Sequence, residues 1–299
     1  MRTAILGAGG QLGVDLAREA CKRGHIVLAL TRRQLDVTDG PAVLRRLRSF
    51  RPDAVFNAAA YNHVDQAERE PWAAKNVNAL GVRNVADACA GACSVLIHYS
   101  TDLVFSGKAT APYSESDQPC PSSVYGKSKL AGERVARDRC PSHYVLRVAA
   151  LFGPAGRFTR RGNFAEMVLA KCRKGQSLRI VRDRFVSPTF GPSLAVRSLD
   201  ILQAEIPYGL YHLAGGEAVS WYDFAVKVAR ASGAPSGAVE AIVADEHRTA
   251  APRPPYSALS NRRIESLGIR PMPRLDIAVR RYLNLRHTEV REPLAALGL

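Results

Sequence analysis

The chain has 299 residues, 46% of them hydrophobic, and a formal net charge of +15 from 42 Lys and Arg against 27 Asp and Glu. That length and apolar content suit one large α/β domain, or a main domain with a smaller lobe, and argue against disorder. No run approaches the ~18 apolar residues of a membrane span, and the chain enters a strand at Thr3 with no basic, apolar leader before it, so a cytoplasmic protein with no membrane partner is expected.

The first half alternates short apolar runs with helix-period segments. The runs at 4–6, 26–30, 54–56, 95–99 and 144–148 read as buried parallel strands, and 11–22, 41–50, 72–90 and 122–137 read as helices between them. This predicts an α/β fold, a doubly wound (Rossmann) parallel sheet over residues 1–150. Beyond 150 the pattern loosens around Gly153-Pro154, Ser187-Pro188 and Pro252 to Pro255, which predicts a smaller C-terminal α/β lobe over 151–299. That lobe is expected to be discontinuous, since a strand at 209–213 and helices at 192–203 and 221–231 should return to the main sheet. The stretch 287–299 reads as a docked helix or a frayed tail.

The six cysteines (Cys21, Cys89, Cys93, Cys120, Cys140, Cys172) form no C-x-x-C pair, so neither a zinc site nor a disulfide framework is indicated. The positive charge is dispersed. Arg45, Arg46, Arg48 and Arg51 read as one helix's outer face, while Arg157, Arg160, Arg161, Arg179, Arg182, Arg184, Arg248 and Arg253 lie later. Solvated surface explains most of them, an anionic small substrate comes second, and no nucleic-acid partner is expected.

Gly7-Ala8-Gly9-Gly10-Gln11-Leu12-Gly13 follows the first strand and opens the first helix. Glycine permits the tight turn at Gly7, close approach of a pyrophosphate at Gly10, and helix–strand packing at Gly13, with the helix N-terminus attracting the phosphates. At the end of the second strand, where an acid would hold a ribose 2′-hydroxyl, stands Thr31-Arg32-Arg33. That suits a 2′-phosphate, hence NADPH over NADH. Asp36-Val37 would line the adenine edge. Ala58-Ala59-Ala60, after the strand at 54–56, are small enough for a cofactor to lie against them.

Tyr125 and Lys129 share a helix face, and of the ten tyrosines only Tyr125 has a lysine four residues on. A nearby positive charge favours the phenolate, so Lys129 is expected to lower the phenol's pKa and make Tyr125 a proton donor. Ser100-Thr101-Asp102 ends the strand beside them.

Together with Asn57 to Tyr61, Val64-Asp65, Gly132-Glu133, Asn163-Phe164, Ser187-Pro188-Thr189, Gly209 to His212, Ser220-Trp221, Arg253-Pro254 and Ser257-Ala258-Leu259, these motifs resemble the extended short-chain dehydrogenase/reductase family, within it the dTDP-4-dehydrorhamnose reductases. The resemblance runs over most of the chain. It implies NADPH-dependent reduction of the 4-keto group of a nucleotide-activated 6-deoxyhexose, with Thr101, Tyr125 and Lys129 as the catalytic set. Tyr125 protonates the ketone oxygen, Lys129 holds the nicotinamide ribose, Thr101 orients the carbonyl, and Asp102 faces the sugar hydroxyls beside Val64. Asn163, opening a helix, and Arg253 would hold a diphosphate. Family members also use Mg2+ at a dimer contact. No acidic cluster demands it here, which leaves the ion and a homodimer open.

The chain departs from that pattern where a tryptophan would stack on the sugar, since Ala150 stands there, with Arg184 and Phe185 offering other contacts. A different 4-keto nucleotide sugar therefore stays open. So does a non-catalytic NADP-binding regulatory subunit, although Thr101, Tyr125 and Lys129 are intact.

Overall fold

In a computed structural model, which describes residues 1–159 and 162–287, the alternating pattern closes into one six-stranded parallel sheet. The first half contains β1 (Arg2–Leu6), α1 (Gln11–Lys22), β2 (Ile26–Leu30), α2 (Gly40–Phe50), β3 (Ala54–Asn57), α3 (Val64–Ala67), α4 (Pro71–Lys75), α5 (Gly81–Gly91), β4 (Val95–Thr101), α6 (Val124–Arg139) and β5 (His143–Val148). The second half contains β6 (Leu151–Phe152), α7 (Phe164–Arg173), β7 (Leu178–Val181), β8 (Phe185–Val186), β9 (Thr189–Phe190), α8 (Gly191–Ala204), β10 (Gly209–His212), β11 (Val219–Ser220), α9 (Trp221–Ala231), β12 (Val239–Ile242), α10 (Arg262–Ser266) and α11 (Leu275–His287).

The sheet order is β2-β1-β3-β4-β5-β10, every pair parallel. It is doubly wound: α1 and α8 cover one face through Leu12, Leu16, Leu194 and Leu199, and α2, α5 and α6 cover the other through Val43, Leu47, Val82, Val85 and Ala136. Both faces being covered explains why the strands are continuous apolar runs rather than alternating ones. The order reverses between β1 and β3, the crevice where such sheets bind ligands.

Of the three elements that the sequence suggests return to this sheet, two do. Residues 191–212 do return, with α8 against α1 and β10 against β5. The helix at 221–231 does not: Phe224, Ala225 and Val228 pack with Phe152, Val168, Leu169 and Tyr282 in a separate, smaller core built from α7, α9, α11, β7 and β12. Amphipathicity alone names a buried face without saying which core receives it.

The segment read as one helix over 72–90 is α4 and α5 joined by a π turn, Asn76–Leu80. The turn is held by side chains. Asn78 accepts from the Tyr61 N–H (2.9 Å) and donates to the Tyr61 carbonyl (3.0 Å) and Ser128 Oγ (3.0 Å), while a Cβ on Gly132 would lie within 2.1 Å of the Asn78 carbonyl oxygen. Of the stretch 287–299, His287 ends α11 and the remainder lies outside the described residues, as do Arg160 and Arg161. No helix among the described residues is long and apolar enough to cross a membrane.

Candidate active site

The glycine loop lies at the strand-to-helix junction as expected. Gly7 adopts φ +77°, and a Cβ there would sit 2.6 Å from the Ala59 nitrogen, so only glycine lets the loop pass against the Ala58–Ala59 backbone. A Cβ on Gly13 would lie 2.4 Å from the Gly7 carbonyl oxygen. α1 follows Gly10 with no side-chain cap and no acidic residue in its first turn, and the buried Gln11 Nε2 has no hydrogen-bond partner among the described residues. An uncapped helix N-terminus beside an orphaned amide donor fits an anionic pyrophosphate.

At the ribose end, Arg32 and Arg33 are exposed. Arg32 Nε is 3.7 Å from Asp36, whose carboxyl is held below its ordinary range chiefly by hydrogen bonds from the Thr38 N–H and hydroxyl. Arg32 and Asp36 line a cavity of about 670 Å³ with Tyr61 and His63. Thr31 is engaged with Gln34 through both its N–H and its hydroxyl (2.8 Å each). The side chain of Val37 is buried over Gly81 and its carbonyl accepts from Asn84. Ala58 and Ala59 are half-buried and Ala60 is exposed.

Tyr125 and Lys129 lie in the first turns of α6, which Ser123 caps by accepting from the Gly126 N–H (3.1 Å). A Cβ on Gly126 would meet the Leu103 carbonyl oxygen at 2.3 Å, so this glycine lets α6 seat against the turn carrying Thr101 and Asp102. Thr101 hydrogen-bonds the phenol, yet burial, reinforced by the Asp102 charge, pushes Tyr125 up to about 12. The expected lowering by Lys129 is therefore not found. Its ammonium donates to the Tyr99 carbonyl oxygen (2.5 Å), and burial brings Lys129 down to about 8. Burial and the Asp102 charge set the phenol's pKa, and Tyr125 is a protonated donor at neutral pH. Asp102 is raised to about 6 by burial, opposed by hydrogen bonds from Ser257 (2.6 Å) and Thr101 (3.1 Å).

Thr101, Asp102 and Tyr125 open onto a cavity of about 520 Å³ that also reaches Val64, Ala150, Arg184 and Arg253. Ala150 sits at φ +37°. Arg253 pairs with Asp65 (2.9 Å) at the cavity wall. Asn163 is the exception among the expected substrate contacts. It caps α7 through Glu166 N (3.0 Å), and its amide donates to Gln11 Oε1 (2.8 Å) and the Gly153 carbonyl (2.9 Å). That leaves it no donor for a diphosphate, and it ties the glycine loop to the second core instead. The sequence reading missed Ser257 as the partner of Asp102, and Phe164, Met167, Trp221 and His247 as lining. No spacing rule links residues 102 and 257, so only the fold brings them together. Among the described residues no three His, Cys, Asp or Glu side chains gather at metal-binding spacing.

A doubly wound sheet, a glycine loop at its switch point, Thr101 and Tyr125 facing one cavity and Lys129 buried one helical turn behind Tyr125 define an extended short-chain dehydrogenase/reductase. The chain belongs to the family described as "RmlD substrate binding domain", whose model matches residues 1–287. It is 36% identical over 285 residues to the spore coat polysaccharide biosynthesis protein SpsK of Bacillus subtilis (95% of this chain, 98% of that one). It is 38% identical to the dTDP-4-dehydrorhamnose reductase of Mycolicibacterium smegmatis (91% and 81%). The crystal structure of dTDP-4-dehydrorhamnose reductase from Bacillus anthracis in complex with NADP superposes with a TM-score of 0.89 at 30% identity, covering 95% of this chain and 99% of that one.

Proposed function

We propose that the protein is an NADPH-dependent reductase of the 4-keto group of a nucleotide-activated 6-deoxyhexose, with dTDP-4-dehydrorhamnose, reduced to dTDP-L-rhamnose, as its first candidate substrate. The observation that carries this reading is that Thr101 and Tyr125 share one cavity with Arg184 and Arg253 of the second lobe. A ketone bound at the hydroxyls thus lies within the same space as cations suited to a diphosphate.

NADPH supplies the hydride when bound. The glycine loop, with Gln11 Nε2 and the α1 N-terminus, holds its pyrophosphate, Arg32 and Arg33 receive the 2′-phosphate, and Lys129 holds the ribose next to the nicotinamide. Thr101 Oγ1 orients the ketone oxygen, and Tyr125 Oη gives it a proton. A donor at about 12 is matched to an alkoxide acceptor and keeps its proton until the oxygen becomes basic. Asp102, fixed by Ser257, faces the sugar hydroxyls. In this reading residues 1–150 with 191–212 form the cofactor domain, and most of the remainder binds the sugar nucleotide. Six free cysteines support a reducing compartment, and we place the protein in the cytoplasm.

The test is NADPH oxidation with dTDP-4-dehydrorhamnose and product analysis, run also with NADH. Turnover with a higher kcat/KM for NADPH is expected. Cofactor binding without turnover on any 4-keto sugar nucleotide would instead indicate a regulatory subunit. A second reading, a different 4-keto sugar, is favoured by Ala150, a methyl group on the cavity wall with no ring to stack on a sugar. A panel of dTDP-4-keto-6-deoxy sugars separates the two by kcat/KM.

A further inference from the structure

α6 carries three ionisable side chains in register, the half-buried Tyr125 and the buried Lys129 and Glu133, each four residues from the last and therefore one above another on the helix face. Glu133 is 6% exposed and is clamped from two strands. Arg147 on β5 donates Nε to one carboxylate oxygen (2.9 Å) and Nη2 to the other (2.8 Å), and Ser100 Oγ on β4 donates to the first (2.5 Å). Arg147, 2% exposed, also lies 5.0 Å from the Phe105 ring centroid and 3.4 Å from His212 Nε2. Glu133 thus pairs with the buried Arg147 and stands one helical turn from the buried Lys129.

We propose that Glu133, clamped by Arg147 and Ser100 one helical turn from Lys129, is a positioning residue for Lys129: its negative charge keeps the ammonium, which the Tyr99 carbonyl oxygen holds in place, protonated across the neutral range. This rests on reading Lys129 as the ammonium that serves the cofactor ribose. The groups facing Lys129 leave no other candidate among the described residues. On its own helix these are Tyr125, a neutral phenol, and Glu133. On β4 they are the Tyr99 carbonyl oxygen and His98, which burial and the Lys129 charge hold well below the usual imidazole range. On the π turn Asn78 is an uncharged amide bonded to Ser128. Asp102, beyond the end of β4, faces Tyr125. His212 on β10 is lowered to about 3 by burial and by Arg147, so it adds no charge. Burial works to neutralise Lys129, and Glu133 is the group that opposes it.

The clamp explains why so costly an arrangement stands beneath the site. A lone buried carboxylate would be protonated and a lone buried guanidinium is prohibitive, whereas the bidentate pair, completed by a serine hydroxyl, holds a negative charge at a fixed place in the interior. A hydrophobic core at the same position would pack as well but would leave Lys129 to lose its proton.

The test uses Glu133→Gln and the double variant Glu133→Leu/Arg147→Met, which removes both charges together and replaces them with apolar side chains of similar volume. Two readouts are taken against pH: NADPH Kd by fluorescence, and kcat/KM with the sugar nucleotide. In the wild type both decline as Lys129 loses its proton. In both variants the decline is expected to move down by about 1 pH unit, with turnover recovering toward wild type near pH 6. Glu133→Asp, which keeps the charge, holds the decline near its wild-type position. A folded variant lacking the carboxylate whose affinity and kcat/KM decline at the wild-type pH overturns the inference. Tyr125→Phe, assayed in parallel, keeps the two ideas apart: its retaining full turnover would defeat the underlying catalytic reading, whereas an unmoved decline defeats only the role of Glu133.

Discussion

Gly13→Ala puts the cofactor loop under a measurable strain. The added Cβ would lie 2.4 Å from the Gly7 carbonyl oxygen and 2.6 Å from Ala8 Cα, both backbone atoms with no rotamer to move. Ordinary carbon contacts lie at about 3.5–4.0 Å, so the Gly7–Ala8 turn must retreat by roughly 1 Å, which also displaces it from Ala59. Overpacking of this kind costs about 1–3 kcal/mol, and at about 1.4 kcal/mol per decade a cost falling on the binding conformation raises the NADPH Kd by roughly 5- to 150-fold. The assay is fluorescence titration of NADPH, beside urea unfolding to register any share of the cost taken by global stability. Gly91→Ala is the control, because a Cβ there meets nothing within 4 Å and it lies at the end of α5; its NADPH Kd should match wild type. A Gly13→Ala protein with wild-type affinity and stability would refute the reasoning that this glycine holds the loop in a binding shape.

Asn163→Ala removes the α7 cap and the tie to Gln11, so a stability loss of about 0.5–2 kcal/mol is expected by urea unfolding, with NADPH Kd raised because Gln11 loses its brace. An unchanged Kd would show that the tie is structural only. Asp15 is fully buried and raised from 3.8 to about 8 by desolvation, only partly opposed by Arg18. Its folded pKa lies above the unfolded one, so its contribution to stability is intact below pH ~4 and is lost as pH rises toward 8. Asp15→Asn should therefore match wild type at pH 4 and be the more stable of the two at pH 8, and equal pH slopes would contradict this. Arg253→Met should raise KM for the sugar nucleotide about 10- to 150-fold, the worth of a charge-assisted bond, with NADPH Kd unchanged. A KM within threefold or so of wild type would place Arg253 outside the substrate contacts.

What was legible in the sequence is what local chemistry enforces. Apolar runs at strand length gave the sheet, Gly7 and Gly13 gave the loop because no side chain fits there, and the four-residue interval from Tyr125 to Lys129 gave their shared face. What was illegible depends on contacts between distant segments. The burial of Trp221 to Ala231 in the second core, the pairing of Ser257 with Asp102 across 155 positions, and the diversion of Asn163 to Gln11 across 152 are consequences of packing. The phenol's pKa is the same kind of case. Spacing showed a lysine nearby, but the burial and the Asp102 charge that raise the phenol's pKa can be read only from the fold.

The account stands most directly on the proton given by Tyr125. Steady-state oxidation of NADPH by dTDP-4-dehydrorhamnose should fall about 10²- to 10⁴-fold in kcat in Tyr125→Phe, with NADPH Kd close to wild type, since the phenyl ring keeps the packing and loses only the donor. An unchanged kcat in a folded Tyr125→Phe protein would contradict the account.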